Sequence, residues 1–465
     1  LGARAQPAPP GAATPAGAPL ASAPLASAPL ASAPLASAHL DGLRLRTIGP
    51  AAMSGRVVDI AVVERDPSTF YVASATGGLW KTTNAGVTYA PVWQRGAVSS
   101  LGAVAVHQRD TNVVWIGTGE ATNRQSSAWG DGVHRSDDGG RTWRAMGLAA
   151  TRHVARVVLH PRSPDTVYVA AAGRLWGPNP ERGVYRSTDG GRTWERALFV
   201  DDDTGVIELV MDPSDPDVLY AAAYQRRRTA YGFHGGGPGS ALYRTTDAGR
   251  TWKKLGTGLP EGEYGRIGIS IYRKDPRVVY VTVEQGLQYT ASISYAKRLG
   301  GVFRSGDRGE TWRFMGDFNP RPMYASRLQV DPNDEARIYQ VSWSVSTDSG
   351  KTFASPRQSL HGDDRFVWVN PADSRHLIKG DDGGIGVSHD RGRTWAYAAA
   401  LPIAQYYRVA VDMATPFRVY GGLQDNGSWG GPSRTLRGTG PTNEDWQFLN
   451  GGDGFVCRVD PQDPD

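Results

Sequence analysis

One eight-residue string constrains this chain more than any other feature. Ser/Thr-x-Asp-x-Gly-x-Thr-aromatic runs from Ser136 to Trp143 and from Ser187 to Trp194. It returns at Thr245–Trp252, Ser305–Trp312, Ser346–Phe353 and Ser388–Trp395, with a looser copy at Thr82–Tyr89. The third residues of these copies fall at 84, 138, 189, 247, 307, 348 and 390, so neighbouring copies stand 41 to 60 residues apart. That is the length of a four-stranded propeller blade. The string has the chemistry of a stapled hairpin. Its Asp accepts hydrogen bonds from backbone N–H groups, its Gly supplies positive φ, and its aromatic residue is expected to fold under the turn. Ahead of the copies run short segments such as Gly183-Val-Tyr-Arg-Ser187, whose alternation suits a half-buried strand.

A second signature accompanies the first: a strand, a Pro/Asp turn, and a strand carrying Tyr or Trp. Glu208-Leu-Val-Met-Asp212-Pro213 leading to Val218-Leu-Tyr220 shows it clearly. Related pairs lie at 57–73, 104–117, 155–171, 267–282, 328–341, 366–379 and 409–421, and a ninth starts at Val456-Cys-Arg-Val-Asp460-Pro461. The fold class expected is all-β, a propeller of four-stranded blades with seven stapled blades and the start of further ones. Either a seven-bladed ring followed by a second propeller or a single ten-bladed ring fits the count. The last turn is expected to belong to a blade that breaks off mid-way.

Composition removes other classes. Apolar residues make up 40% of the 465, and the 58 glycines follow no three-residue period, which excludes a disordered chain and a collagen. No run of about 18 apolar residues occurs, so no transmembrane helix is expected. The net charge of +5 is spread about one basic residue per repeat, which speaks against nucleic acid as a partner. Cys457 is single, so no internal disulfide forms.

Three regions are expected. Residues 1–40 open with Ala3-x-Ala5, the small-x-small form of an export-signal cleavage site, and continue as Ala-Pro-Leu-Ala-Ser repeats. Too little bulky apolar surface is present there to offset chain entropy, so this stretch reads as a tether outside the fold. Residues 41–400 carry the stapled propeller, and residues 401–465 begin further blades. The location expected is secreted, periplasmic or at the cell surface.

In a meandering blade the Pro/Asp turns and the staples share one face, which leaves the long, dissimilar loops on the other. Glu120–Asp131, Ala172–Arg182, Arg226–Ser240 and Glu284–Leu299 are such loops, rich in Gly, Tyr, Trp or Arg. Binding and catalysis usually sit on loops of this kind. The innermost strands begin at the mouth of the central channel, and the residues there are polar. Arg56, Glu120, His361, Asp363, Asp364, Asp382, Tyr407, Arg408, Gln424 and Asn426 are candidates for ligand binding. Asp381, Asp425 and Asp453 are the candidate carboxylates. Paired carboxylates flanking a bond suit sugar hydrolysis, where one acid protonates the leaving oxygen and the other assists from the opposite side. Asp-Gly pairs also occur wherever a strand reverses. His361 with Asp363 and Asp364 is the only tight His/carboxylate group, and it specifies no metal. Neither a phosphate-cradling loop, a nucleophile elbow nor a cofactor string is present. Asp201–Asp203 and Arg226–Arg228 read as solvated loop residues.

The seven staples identify the chain as a member of the Asp-box, or BNR-repeat, superfamily from about Leu45 onward. Its members include sialidases, xyloglucan-cleaving endoglucanases, sortilin-type receptors and a photosystem-assembly factor. Leu45-Arg-Thr-Ile-Gly-Pro50, Ser54-Gly-Arg-Val57 and Ala75-Thr-Gly-Gly-Leu-Trp-Lys81 most resemble large secreted bacterial proteins called glycosyl-hydrolase-like or sortilin-like. The Arg-Ile-Pro motif of sialidases is missing near the start. Resemblance to xyloglucanases implies a catalytic Asp in an Asp-x-Gly-Gly string, matched by Asp381 in Gly380-Asp381-Asp382-Gly383-Gly384; at the corresponding earlier string Ala75 stands where the carboxylate is expected. The resemblances therefore imply a protein that binds an extracellular polysaccharide at its loop-rich face, with hydrolysis open, or else a non-catalytic sortilin-like receptor or scaffold for a peptide or protein.

Overall fold

The two sequence signatures turn out to be the two halves of one interlock between neighbouring blades. In the computed structural model, which describes residues 42–43, 46–124, 127–285, 300–320, 322–340, 343–356 and 361–463, each staple closes the same way. The Gly N–H donates to the first Ser/Thr hydroxyl at 2.7–3.0 Å. The later Thr N–H donates to the Asp or Asn side chain at 2.9–3.0 Å. The Gly sits at φ between +77° and +94° in all seven copies. The residue before it is also left-handed, and Ala85, Ala248, Arg308, Ser349 and Arg391 adopt that conformation without being Gly.

The staple aromatic does more than fold under its turn. Trp143 Nε1 donates to Val92 O at 2.7 Å and Trp194 Nε1 to Met146 O at 2.6 Å, in each case reaching the residue just past the last strand of the preceding blade. Tyrosines of the second signature reach the other way: Tyr71, Tyr168 and Tyr220 each donate at 3.0 Å to a carbonyl in the next blade's staple.

Eight antiparallel sheets follow along the chain, each in simple up-and-down order. The first comprises Val57–Val62, Phe70–Ser74, Leu79–Thr82 and Ala90–Pro91; the seventh comprises Phe366–Val369, Leu377–Asp381, Gly384–Ser388 and Ala396–Tyr397. Val57–Val62 packs against the two inner strands of the seventh sheet, through Val57, Ile60, Ile378, Ile385, Leu401 and Ile403. Seven blades therefore close into a ring, and the ten-bladed alternative falls away. An eighth sheet, Tyr406–Val411, Arg418–Leu423, Ser428–Pro432 and Gln447–Asn450, stands outside the ring and shares an apolar cluster with Ile48, Ala52 and Met53. The segment beginning at Val456 forms no strand.

Because each blade is sandwiched between two others, its middle strands are covered on both sides. Phe70–Ser74, Val114–Thr118 and Val167–Ala171 are buried throughout, and the strand Val133–Ser136 is buried where half-burial was expected. Both faces meet apolar neighbours, so near-continuous hydrophobic runs are stable there. The sixth sheet has three strands, and the fourth carries an added hairpin, Phe233–Gly235, on its long strand Leu219–Arg228. No helix among the described residues is long and apolar enough to cross a membrane. The tether of residues 1–40 and most of the loop 284–299 lie outside the described residues.

Candidate functional site

The innermost strands of the first five blades and of the eighth sheet each carry a register shift near their start. A bulge bends the strand and re-aims a side chain. Val58, Gly102, Ala155, Ile207 and Arg266 come from these bulges and line the channel together with Tyr324, Arg327, Asp364 and Arg365, leaving a cavity of about 30 Å³. That is room for about one water molecule. Arg156, Glu208, Ile269, Leu328 and Phe366 of the inner strands line a second cavity of about 250 Å³ that shares Arg327, Asp364 and Arg365 with the first, so the channel is narrow at one level only.

Above it lies a charged cluster centred on Asp382. Arg365 grips this carboxylate with two bonds of 2.8 Å, Tyr324 donates to it at 3.3 Å, and Arg56 and Arg124 stand 3.9 Å away. Burial alone would raise the Asp382 pKa, but the Arg365, Arg56 and Arg124 guanidiniums hold it below the usual range. The Tyr324 ring lies 3.9 Å beneath the Arg365 guanidinium. Arg56 is paired with Glu120 at 2.8 Å and donates to Gln424 and Gln405 at 3.2 Å each. Gln424 in turn donates to Asp425 at 3.0 Å. Asn426 donates to Ser54 O and Asp382 O, tying the eighth sheet to the ring. Three arginines thus meet two buried carboxylates, with Arg56 and Arg365 closely paired and Arg124 the most weakly partnered.

Six of the predicted residues, Arg56, Glu120, Asp382, Gln424, Asp425 and Asn426, belong to this network. The others are placed differently. Asp381 is 2% exposed and turned into the seam beside Lys379, whose Nζ lies 3.5 Å from it and 2.5 Å from Asp364. Burial pushes the Asp381 carboxyl up to about 7; Lys379 opposes the shift and Asp364 adds to it. Gly383 and Gly384 offer no space to a sugar, since a Cβ there would meet His361 and Ser54 at 2.8 Å. Asp425 is half-buried with φ +62°, and its N–H donates to Asp453 at 2.8 Å. Its pKa is raised by burial and by the Asp382 and Asp453 charges. Asp453 is exposed. Tyr407 stacks on Phe455 at 4.7 Å and keeps 39% exposure. His361 accepts from the Asp363 N–H at 3.3 Å, and Arg408 is exposed on the eighth sheet.

Of Arg226–Arg228, expected as a solvated rim, only Arg228 lines an open cavity. Arg226 is 1% exposed and donates to Ala121 O and Asn123, while Asp203 pairs with Arg227 at 2.5 Å. The residue sequence reasoning passed over most completely is Tyr324, on the short helix Pro322–Ala325, which no repeat announces. Arg124, Trp176 and Tyr231 lie in the variable loops already flagged by length and composition. They line a cavity of about 490 Å³ with Asn123, Arg228 and Met323. Trp176 is 52% and Tyr231 98% exposed. Among the described residues no group of three or more His, Cys, Asp or Glu is arranged to hold a metal.

Comparison with known proteins agrees with the fold. Residues 131–290 match the Sortilin-Vps10 family model, described as sortilin, neurotensin receptor 3. Xyloglucanase Xgh74A of Acetivibrio thermocellus is 28% identical over 204 residues, 39% of this chain and 23% of that protein. The oligoxyloglucan-reducing end-specific xyloglucanase of Emericella nidulans is 24% identical over 389 residues, 69% of this chain and 43% of the relative. The chain thus spans less than half the length of these curated relatives. Among solved structures, the GH74 xyloglucanase from Xanthomonas campestris superposes with a TM-score of 0.59 at 16% identity, covering 82% of this chain and 60% of the other. An ancestral GH74 enzyme gives 0.57 at 16%, covering 83% and 54%. Staples, ring closure and these matches agree: the chain is a β-propeller similar to the sortilin-type and xyloglucanase propellers.

Proposed function

We propose that this chain binds an extracellular polysaccharide across its loop-rich face and supplies carboxylates for its hydrolysis. The observation that carries the reading is Asp425 beside Asp453, two accessible carboxylates of unlike environment at the channel mouth. Burial, with the Asp382 and Asp453 charges beside it, raises the Asp425 pKa above the ordinary carboxyl range. A carboxyl of raised pKa next to a solvated carboxylate is the division of labour that glycoside cleavage needs. In this reading Asp425 protonates the leaving oxygen and Asp453 acts as base or nucleophile. Gln424, held by Arg56, orients Asp425, and Tyr407 offers a ring face to a sugar. Asp381, the carboxylate expected from the xyloglucanase string, is enclosed and acts through its neighbours rather than on substrate.

The matches to xyloglucanases support a glycan as ligand, and export follows from that substrate class. The test is a depolymerisation assay on neutral and acidic plant and bacterial polysaccharides. Asp425→Asn is expected to lower the rate by at least about 100-fold, the scale of general acid catalysis, while leaving polysaccharide binding intact. Unchanged hydrolysis in that variant refutes the assignment of Asp425, and a folded protein that neither binds nor cleaves any polysaccharide refutes the function.

A further inference from the structure

The 490 Å³ cavity on the loop face has a chemistry of its own. It is built where the fourth blade reaches back to the third. The long strand Leu219–Arg228 extends beyond its sheet, the Arg228 N–H donates to Leu175 O at 3.0 Å, and Trp176 bridges Arg228 in parallel. This main-chain contact fixes an indole and a guanidinium side by side at the rim. Tyr231 stands on the turn of the added hairpin. The base is tied together by Asn123, which donates to Met323 O at 2.6 Å, and by Arg124, which donates to the Tyr324 hydroxyl at 3.0 Å.

The walls are cationic and aromatic. Among the described residues, Arg228 and Arg124 are the charged residues lining the cavity, and no carboxylate lines it. Arg228 lies 5.7 Å from the Phe233 ring and makes no ion pair among the described residues. Arg124 has its nearest carboxylate, Asp382, at 3.9 Å, and that carboxylate is already gripped twice by Arg365. Exposed indole and phenol faces suit the C–H faces of pyranose rings, and a guanidinium with free donors suits a planar carboxylate. A neutral sugar offers the Arg228 donors only single hydroxyl oxygens, without the charge and the two-pronged geometry of a carboxylate.

Resting on the polysaccharide reading above, the geometry points to a subsite for an acidic glycan, with a uronate carboxylate held by Arg228 and Arg124 and its ring lying against Trp176 or Tyr231. The mouth is then polarised: cations on the side of the third and fourth blades receive the ligand's charge, and Asp425 and Asp453 stand on the side of the eighth sheet.

Titration calorimetry with trigalacturonate and with its carboxyl-reduced neutral counterpart tests this. The acidic trisaccharide is expected to bind at least 10-fold more tightly, with a preference that shrinks as salt rises. Arg228→Gln should abolish the preference, and Tyr231→Ala, at a fully exposed position that folding does not need, should weaken both ligands. Equal binding of the two trisaccharides overturns the acidic subsite while leaving the polysaccharide reading standing. A preference unchanged in Arg228→Gln overturns the residue assignment. Binding of a short peptide through its free C-terminal carboxylate, with no glycan bound, overturns both.

Discussion

The two faces of the ring are built on opposite principles. On the staple face seven turns repeat one hydrogen-bond set within eight residues, and each carboxylate stays at the surface. At the channel mouth Arg56, Glu120, Asp382 and Gln424, drawn from sheets far apart in the chain, share one buried network. The polar bonds of each staple turn tolerate change because they are local and solvated, whereas its aromatic ring is shared with the preceding blade. The mouth does not, because removing one charge there strands others away from water.

The largest expected break of this contrast is Asp382→Ala. It leaves Arg365, Arg56 and Arg124 facing one another, and the loss should be about 3–5 kcal/mol, as for an uncompensated buried charge. Urea titration of the purified variant measures it, and a loss under about 1 kcal/mol would remove Asp382 from the centre of the network. Next comes Trp194→Ala. The ring is half-buried against Trp115 and donates to the preceding blade, so about 2–3 kcal/mol is expected, below the range for a fully buried indole. An unchanged midpoint would show that blades do not interlock through this residue.

A pH-dependent effect sharpens the comparison. Asp381 titrates near 7 in the folded chain, against 3.8 as its ordinary value. Between those values the unfolded chain gives up a proton that the folded chain keeps, so this group costs stability progressively as pH rises from about 4 to 7. Asp381→Asn should therefore gain on the parent across that window, followed as the difference in melting temperature; a difference that is flat with pH contradicts the buried, proton-holding assignment. The half-buried staple aspartates Asp138 and Asp348 have lowered values through their bonds to Thr142 and Thr352. Their contribution has the opposite sign, present above the ordinary value and lost in stronger acid.

Smallest is Ser187→Ala. The hydroxyl accepts from the Gly191 N–H and donates to Asp189 at 2.8 Å each, and losing it within one turn should cost about 1 kcal/mol. A loss comparable to that of Asp382→Ala would mean the staples are not independent units.

The staples were legible because the bonds that close each turn lie within one short string, and a short string repeated seven times declares both turn and period. The loop face was legible only as a location. Nothing local in Glu120 or Asp382 tells that both meet Arg56, and the xyloglucanase-like string around Asp381 gives no sign that strand alternation turns that residue into a seam and leaves its neighbour at the mouth. Arg226 and Arg228 are two residues apart on one strand, yet one is enclosed and the other lines an open cavity.

What the sequence by itself determined is the blade: its period, its turns, which strands precede them and which face the variable loops occupy, because those depend on interactions over a few residues and on a strand period of two. What only the tertiary structure decided is closure at seven and the partners of each charge. Both depend on which surfaces meet after the chain has gone once around the ring, when desolvation makes each buried charge depend on partners that lie far away in sequence.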